Sequence, residues 1–383
     1  MRAVIFDTRY PIVREVPFLS RGGCLVLIAA FLAFLLVPLA GWMAGYRDTT
    51  DFDFRERAPY PPPPKVLSRL TDYVAKLDTY ISDSFAMRRQ LLVASSRLRY
   101  AIGGSVTERV IVGRNGWLFD GLDLRDSRVV YPHRDAYVRW YEIMEERRRW
   151  LADRGIGFIV MLGPSKHTVY PEYLPRGWEQ RAQTETDVLL SYLRQHGSRI
   201  DFLDPRAALE AAKLRGEVYY PYDTHWNEVG GLVVYDKLVP LIRAIYPQFV
   251  PVTPRDIVWR TTPSYNHNLL RMLGLAAYDD LTESKATFSP DRVTGADVSQ
   301  TVTEEGLWET YRTETNLGGP RILALRDSFM TAVMPYLSQS TSIFVSYPHQ
   351  AHEFPKALIE RLHPDIVIWE KIEAGMLNAG DAL

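Results

Sequence analysis

A run from Cys24 to Ala44, bracketed by Gly23 and Gly45, contains no charged residue. About 20 consecutive apolar residues in a helix cross the hydrocarbon core of a bilayer, so this run fits a membrane span and divides the chain. Ahead of it stand Arg2, Arg9, Arg14 and Arg21 against Asp7 and Glu15, and beyond it come Asp48, Asp51 and Asp53. That arginine excess predicts a cytoplasmic tail over 1–22, an anchor over 23–45 and an extracytoplasmic remainder. A cleaved signal peptide is the competing reading, but the run is longer than an ordinary signal core and no clean small-x-small site follows it. Cys24 precedes the run and so is not placed like a lipoprotein cysteine. In a Gram-negative bacterium the anchor would lie in the inner membrane and the rest in the periplasm.

Composition narrows what the outer part can be. Of 383 residues, 46% are hydrophobic, enough to fill a core, so disorder is not the dominant reading. Lys plus Arg (45) nearly cancel Asp plus Glu (46), and no basic field marks a nucleic-acid binder. The single cysteine rules out an internal disulfide or a thiolate-rich zinc site, and the histidines lack zinc-like spacing. No metal or cofactor is expected.

After a polar stretch, Tyr60-Pro61-Pro62-Pro63-Pro64 reads as a stiff extended spacer, with 46–65 as the whole linker. Apolar residues at helical spacing predict one or two membrane-proximal helices over 66–105. Val110 to Phe119 reads as two short strands about Asn115-Gly116. Apolar runs at 156–162, 199–203, 321–325, 342–346 and 365–369 then alternate with helical patterns at 134–154, 180–196, 227–245, 329–338 and 355–362. Such alternation predicts a three-layer α/β domain with a parallel sheet. Residues 247–318 are polar and weakly periodic, and are read as an insertion of uncertain structure.

Two stretches carry the chemistry. In an extended segment, residues two apart project to one side, so the Asp223 carboxylate can reach His225. A serine hydroxyl needs an imidazole to take its proton, and the imidazole needs a carboxylate to fix its tautomer. Ser328 follows the strand-like run at 321–325 and could complete that set, with its own backbone N–H near a developing oxyanion. The plainer alternatives stay open: a helix N-cap with a surface histidine for Asp223-Thr224-His225, and ordinary capping for Asp327-Ser328. Ser165, Lys166, Arg326 and Asn227 are candidate oxyanion or pocket residues. Tyr222, Trp226 and Tyr347 are candidate sugar contacts, with core packing as the alternative.

These pieces resemble the periplasmic alginate O-acetyltransferase family. The matching motifs are Phe85-Ala86-Met87-Arg88-Arg89, Gly113 to Phe119, Gly163-Pro164-Ser165-Lys166 with Tyr170-Pro171-Glu172, Asp223-Thr224-His225-Trp226-Asn227 and Arg326-Asp327-Ser328-Phe329. They stand in family order over roughly 70–370. The resemblance implies an SGNH-hydrolase-like domain in permuted order over 66–375, with Asp223 as orienting acid, His225 as base and Ser328 as nucleophile. Arg326 stands where a Gly-Asp-Ser block would have glycine. The implied activity is transfer of acetyl groups to an alginate-like exopolysaccharide through an acyl-serine, with a membrane-bound O-acyltransferase as donor partner. A carbohydrate acetyl esterase and a non-catalytic polysaccharide-binding scaffold of an export complex are the alternatives.

Overall fold

The structure, a computed structural model, describes residues 3–5, 14–16, 21–46, 58–64, 70–84, 86–102, 108–126, 134–178, 183–263, 267–273, 275, 286–293, 298–305, 308–348 and 354–378. Two compact units result, Met1–Ser95 and Ser96–Leu383. In the first, β1 (Ala3–Ile5) pairs antiparallel with β2 (Arg14–Val16). Helix Arg21–Met43 follows; after Arg21 it carries no charge, and its apolar side chains are exposed along almost its whole length. A helix apolar on every side has no polar face to offer water, whereas lipid requires none. The proline stretch, read from the sequence as a stiff extended spacer, makes contacts within this unit. Ala58 N–H donates to Asp83 Oδ2 (3.1 Å), and Tyr60 meets Tyr80 edge-on at 5.2 Å, so this segment is docked on helix Leu70–Ser84. The rest of the linker, 47–57 and 65, and Phe85 lie outside the described residues.

In the second unit, β3 (Val110–Val112) and β4 (Leu118–Asp120) form the expected hairpin. Asn115 and Gly116 both have positive φ (55° and 76°), the conformation that Asn-Gly adopts with least strain. The remaining strands are β5 (Gly157–Gly163), β6 (Asp201–Leu203), β7 (Ile257–Pro263), β8 (Ala286–Val293), β9 (Val298–Glu305), β10 (Trp308–Thr315), β11 (Arg321–Arg326), β12 (Ile343–Pro348) and β13 (Ile366–Ile372). Seven of them form one sheet in the order β6-β5-β13-β11-β12-β10-β9.

The first five strands of that order run parallel, as the apolar runs imply. The last two are antiparallel, so the sheet is mixed rather than parallel throughout. Both come from the segment read as an insertion. Their sequences, VSQTVTEE and WETYRTET, are rich in β-branched and aromatic residues but carry charges at every few positions. β9 is the edge strand and β10 the next one in; strands at this margin have fewer apolar neighbours to satisfy, so they lack the continuous apolar run that marks a central one.

Alternation along the central strands divides the core in two. Ile159, Met161, Ile322, Ala324, Ile366 and Ile368 join one cluster with helix Glu228–Ile245. Phe158, Val160, Leu162, Leu323, Leu325, Val367 and Trp369 point the other way, into a cluster with helices Arg134–Ala152, Glu185–Gln195 and Lys356–Leu362. That is the three-layer arrangement, with a period of two read directly off the strands.

Helix Glu228–Ile245 is fixed against the segment that follows β11. Trp226 Nε1 donates to Phe329 O (2.7 Å), and Tyr336 Oη donates to Glu228 O (2.9 Å). Gly231 makes the close approach possible, because a Cβ there would lie 2.2 Å from Ala332 O. Overpacking of this kind costs about 1–3 kcal/mol. Gly231→Ala is therefore expected to lower the unfolding free energy by about 2 kcal/mol or more in chemical denaturation. At Gly216 an added Cβ meets nothing within 4 Å, and Gly216→Ala should stay within about 0.5 kcal/mol of the parent.

Candidate active site

The Asp223 loop is a tight turn rather than the extended segment expected. Tyr219 and Trp226 form an antiparallel bridge, Tyr220 N–H donates to His225 O (3.2 Å), and Asn227 N–H donates to Val218 O (3.0 Å). Inside this turn the Asp223 side chain caps its own backbone: Oδ1 accepts from His225 N–H at 3.1 Å. Aspartate commonly bonds the chain two residues on in this way. The same oxygen lies 2.5 Å from His225 Nδ1. The other oxygen, Oδ2, accepts from Asn268 N–H at 2.7 Å.

Burial alone would raise the Asp223 pKa, but the hydrogen bond and charge of His225, with the Asn268 and His225 N–H groups, outweigh it and hold the carboxyl at about 2. A carboxylate facing Nδ1 leaves that nitrogen as the donor and Nε2 as an acceptor.

Ser328 arrives from the other side. Asp327 caps the turn of 3-10 helix Ser328–Ala332: its Oδ1 accepts from Phe329 N–H (2.9 Å), and its Oδ2 accepts from Ile372 N–H at the end of β13 (2.7 Å). Asp327 N–H in turn donates to Glu370 Oε2 (2.9 Å). Burial raises the Glu370 pKa well above the ordinary carboxyl range, and the neighbouring Asp327 charge adds to the effect. The single helix expected over 329–338 is instead this 3-10 turn followed by helix Met334–Ser338. Pro335 explains the break, since it has no N–H to continue an α-helix and fits the first turn of a new one.

The two halves meet at His225 Nε2, which lies 2.7 Å from Ser328 Oγ. Asp223, His225 and Ser328 thus form one hydrogen-bonded line at the carboxyl edge of the sheet, where α/β folds place their ligands. The line borders a cavity of about 500 Å³ walled by Tyr220, Trp226, Glu228, Phe329, Thr331 and Pro335 among others. That size falls among small-molecule sites.

A family model described as "SGNH hydrolase-like domain, acetyltransferase AlgX" matches residues 110–319. The chain belongs to this family. The matched region includes Asp223 and His225 and ends before β11. The probable alginate O-acetylase AlgJ of Pseudomonas aeruginosa is 26% identical over 271 residues, covering 69% of this chain and 63% of the relative. The chain thus spans less than two thirds of that relative's length. Among solved structures, Bacillus cereus PatB1 has a TM-score of 0.53 at 14% identity, over 71% of this chain and 97% of that one. A DHHW family protein from Eubacterium siraeum has a TM-score of 0.52 at 14% identity, over 72% and 97%. The fold is the SGNH-hydrolase-like α/β fold of this family.

Of the other candidate residues, Trp226 borders the cavity and the rest do not. Lys166, expected in the pocket, is buried and donates to the carbonyls of Asp223 (2.6 Å), Pro221 (3.1 Å) and Tyr220 (3.2 Å). Ser165 is buried, with its N–H on Glu373 Oε2 (3.1 Å). Arg326 is buried within the sheet, with Nε on Ser346 Oγ (2.8 Å) and an Nη on Glu309 O (3.2 Å), so its side chain is committed to the neighbouring strands. Asn227 caps helix Glu228–Ile245, its side chain accepting from Gly230 N–H (3.0 Å).

Trp226 borders the cavity but is 1% exposed; it is a core residue and not an open stacking platform. Tyr222 rests edge-on against His267, and Tyr347 packs on the second core cluster. Asn268, which sequence reasoning missed, also grips Thr224: its Oδ1 accepts from Thr224 N–H (3.0 Å), and its Nδ2 donates to Thr224 Oγ1 (2.8 Å). Nothing about an asparagine in a weakly periodic segment signals that role.

Replacing Lys166 with methionine would strip three buried carbonyls of their donor. A loss of about 2–4 kcal/mol is expected in chemical denaturation. Asp223 also links stability to pH. Its folded pKa lies below the unfolded value of about 3.9, so its contribution is full above pH 4 and is lost as pH falls towards 2. That contribution is about 2 kcal/mol. Denaturation curves from pH 5 to pH 2 should show the decline, and Asp223→Asn should flatten it.

Proposed function

We propose that this chain is a membrane-anchored, extracytoplasmic O-acetyltransferase that moves acetyl groups onto hydroxyls of an exopolysaccharide. The observation that carries the reading is the line Asp223, His225, Ser328, with contacts of 2.5 and 2.7 Å, beside the cavity. The family and its AlgJ relatives support acetyl transfer. The uncharged helix Arg21–Met43 supports the anchor.

In the first half-reaction Ser328 Oγ attacks the acyl carbonyl carbon of the donor while His225 Nε2 takes the hydroxyl proton. The bond to the leaving group breaks, and His225 returns the proton to it, leaving acyl-Ser328. Asp223 stays ionised and stabilises the imidazolium between these transfers. In the second, a sugar hydroxyl attacks the acyl-serine and gives its proton to His225. The bond to Ser328 Oγ breaks and the proton returns to that oxygen. The Ser328 N–H is the first candidate donor to the tetrahedral oxyanion.

Acetyl-CoA is a cytoplasmic donor, so the acyl group must be handed across the membrane. A membrane-bound O-acyltransferase is the partner that fits, and the anchor keeps the two proteins in one plane. The proposed organisation is a tail over 1–22, the anchor over 23–45, a linker to 65 and the catalytic domain over 66–375.

Full-length protein in detergent, given a chromogenic acetyl ester, should release chromophore at least about a thousandfold faster than Ser328→Ala. Equal rates would overturn the nucleophile. With an oligosaccharide added, acetylated product seen by mass supports transfer, and free acetate alone would assign the chain to the esterases.

A further inference from the structure

Glu228 is the first residue of helix Glu228–Ile245 and lines the same cavity as Ser328 and His225. Its Oε2 accepts from the Tyr220 phenol at 2.6 Å. Tyr220 is itself buried. A hydrogen bond to an ionised group is short and strong, so this one fixes the carboxylate's orientation in the cavity wall. Oε1 accepts no hydrogen bond from the described residues. The other acid on the wall is Asp223, whose oxygens already meet His225 and Asn268, and the described lining holds no lysine or arginine.

A site with this lining offers hydrogen-bond acceptance to sugar hydroxyls and repulsion to sugar carboxylates. We infer that Glu228 is a specificity-determining residue for the acceptor, binding a hydroxyl other than the one that is acylated. It selects a neutral, hydroxyl-rich glycan over a polyuronate. The inference rests on the transferase reading for its meaning, and it departs from the alginate for which the AlgJ relatives are named. Discrimination by an unfavourable charge is a common source of specificity. With like charges a few ångströms apart in a partly shielded cleft, it should amount to about tenfold or more.

An acid in the first turn of a helix also favours the helix dipole, which is the competing, purely structural role for Glu228. The two roles separate in binding. Full-length Ser328→Ala in detergent is titrated calorimetrically with a neutral gluco-oligosaccharide and with an oligomannuronate of equal length. The expected Kd for the neutral sugar is at least about tenfold lower at low salt. In Ser328→Ala/Glu228→Gln the ratio should fall to about threefold or less, through tighter binding of the uronate.

A uronate that binds as well as the neutral sugar overturns the inference, as does failure of both to bind. A ratio unchanged by Glu228→Gln overturns it too, and a lowered melting temperature beside that result assigns Glu228 to the structural role. Should the double variant not fold, Ser328→Ala/Glu228→Ala takes its place, with the same fall in the ratio expected. Because binding is read without turnover, failure of the chromogenic assay would sink the transferase reading and leave this result standing.

Discussion

One buried ammonium holds the candidate site in register. Lys166 opens the short helix Lys166–Val169 just after β5, and its three donors meet three carbonyls of the turn from Tyr220 to Asp223. Carbonyls that all point inward need a concentrated donor, and a lysine supplies three N–H bonds from one point. Tyr170 Oη accepts from Val218 N–H (2.9 Å), and Tyr219 Oη donates to Pro164 O (2.7 Å), so the same two loops are tied at further points. The charge of Lys166 is also attracted to the faces of Trp117 and Phe119, 5.5 and 5.2 Å away. The position of the Asp223 carboxylate is therefore set from beneath by the β5 loop. The position of Ser328 is set from the side by the end of β13.

The carboxyl edge of the sheet concentrates buried acids. Glu373 accepts from Ser165 N–H, Thr168 Oγ1 (2.7 Å) and Arg206, whose guanidinium also meets Asp187 and Asp204. Burial raises the Glu373 pKa, while Arg206, Thr168 and Ser165 oppose that rise. Glu370 lies nearby in sequence, below the Asp327 turn. Acids at these points satisfy backbone N–H groups left unpaired where parallel strands end, which is why loops there can be both buried and fixed. Neither Glu370 nor Glu373 touches the cavity, yet each braces a loop that leads to it.

Much of this was legible in the sequence because buried strands and short-range acid-base pairs leave local signals. The five apolar runs correspond to the five parallel strands, Asn115-Gly116 to the hairpin turn, and Asp223 with His225 to a pair in contact. Ser328 followed from its place after β11. What could not be read were contacts whose partners lie far apart in sequence. Lys166 and Arg326 are read from the sequence as pocket residues, whereas carbonyls take up Lys166, and the Ser346 hydroxyl with the Glu309 carbonyl takes up Arg326. Asn268 and the strands β9 and β10 lay in a stretch whose polar, edge-type composition hides regular structure. Pro335 was visible, and its consequence for the helix after Ser328 could have been drawn from steric rules alone.

The order of strands carries a consequence for how the molecule comes to exist. β13, the last strand, lies between β5 and β11 in the middle of the sheet, and its Ile372 N–H anchors Asp327. The centre of the sheet must stay open until β13 has been made. A topology dominated by such distant pairings folds slowly and leaves strand edges exposed in the meantime. A chain that stops short of residue 372 carries Asp223, His225 and Ser328 but lacks the strand end that anchors Asp327, so the three residues come into line only once β13 has docked.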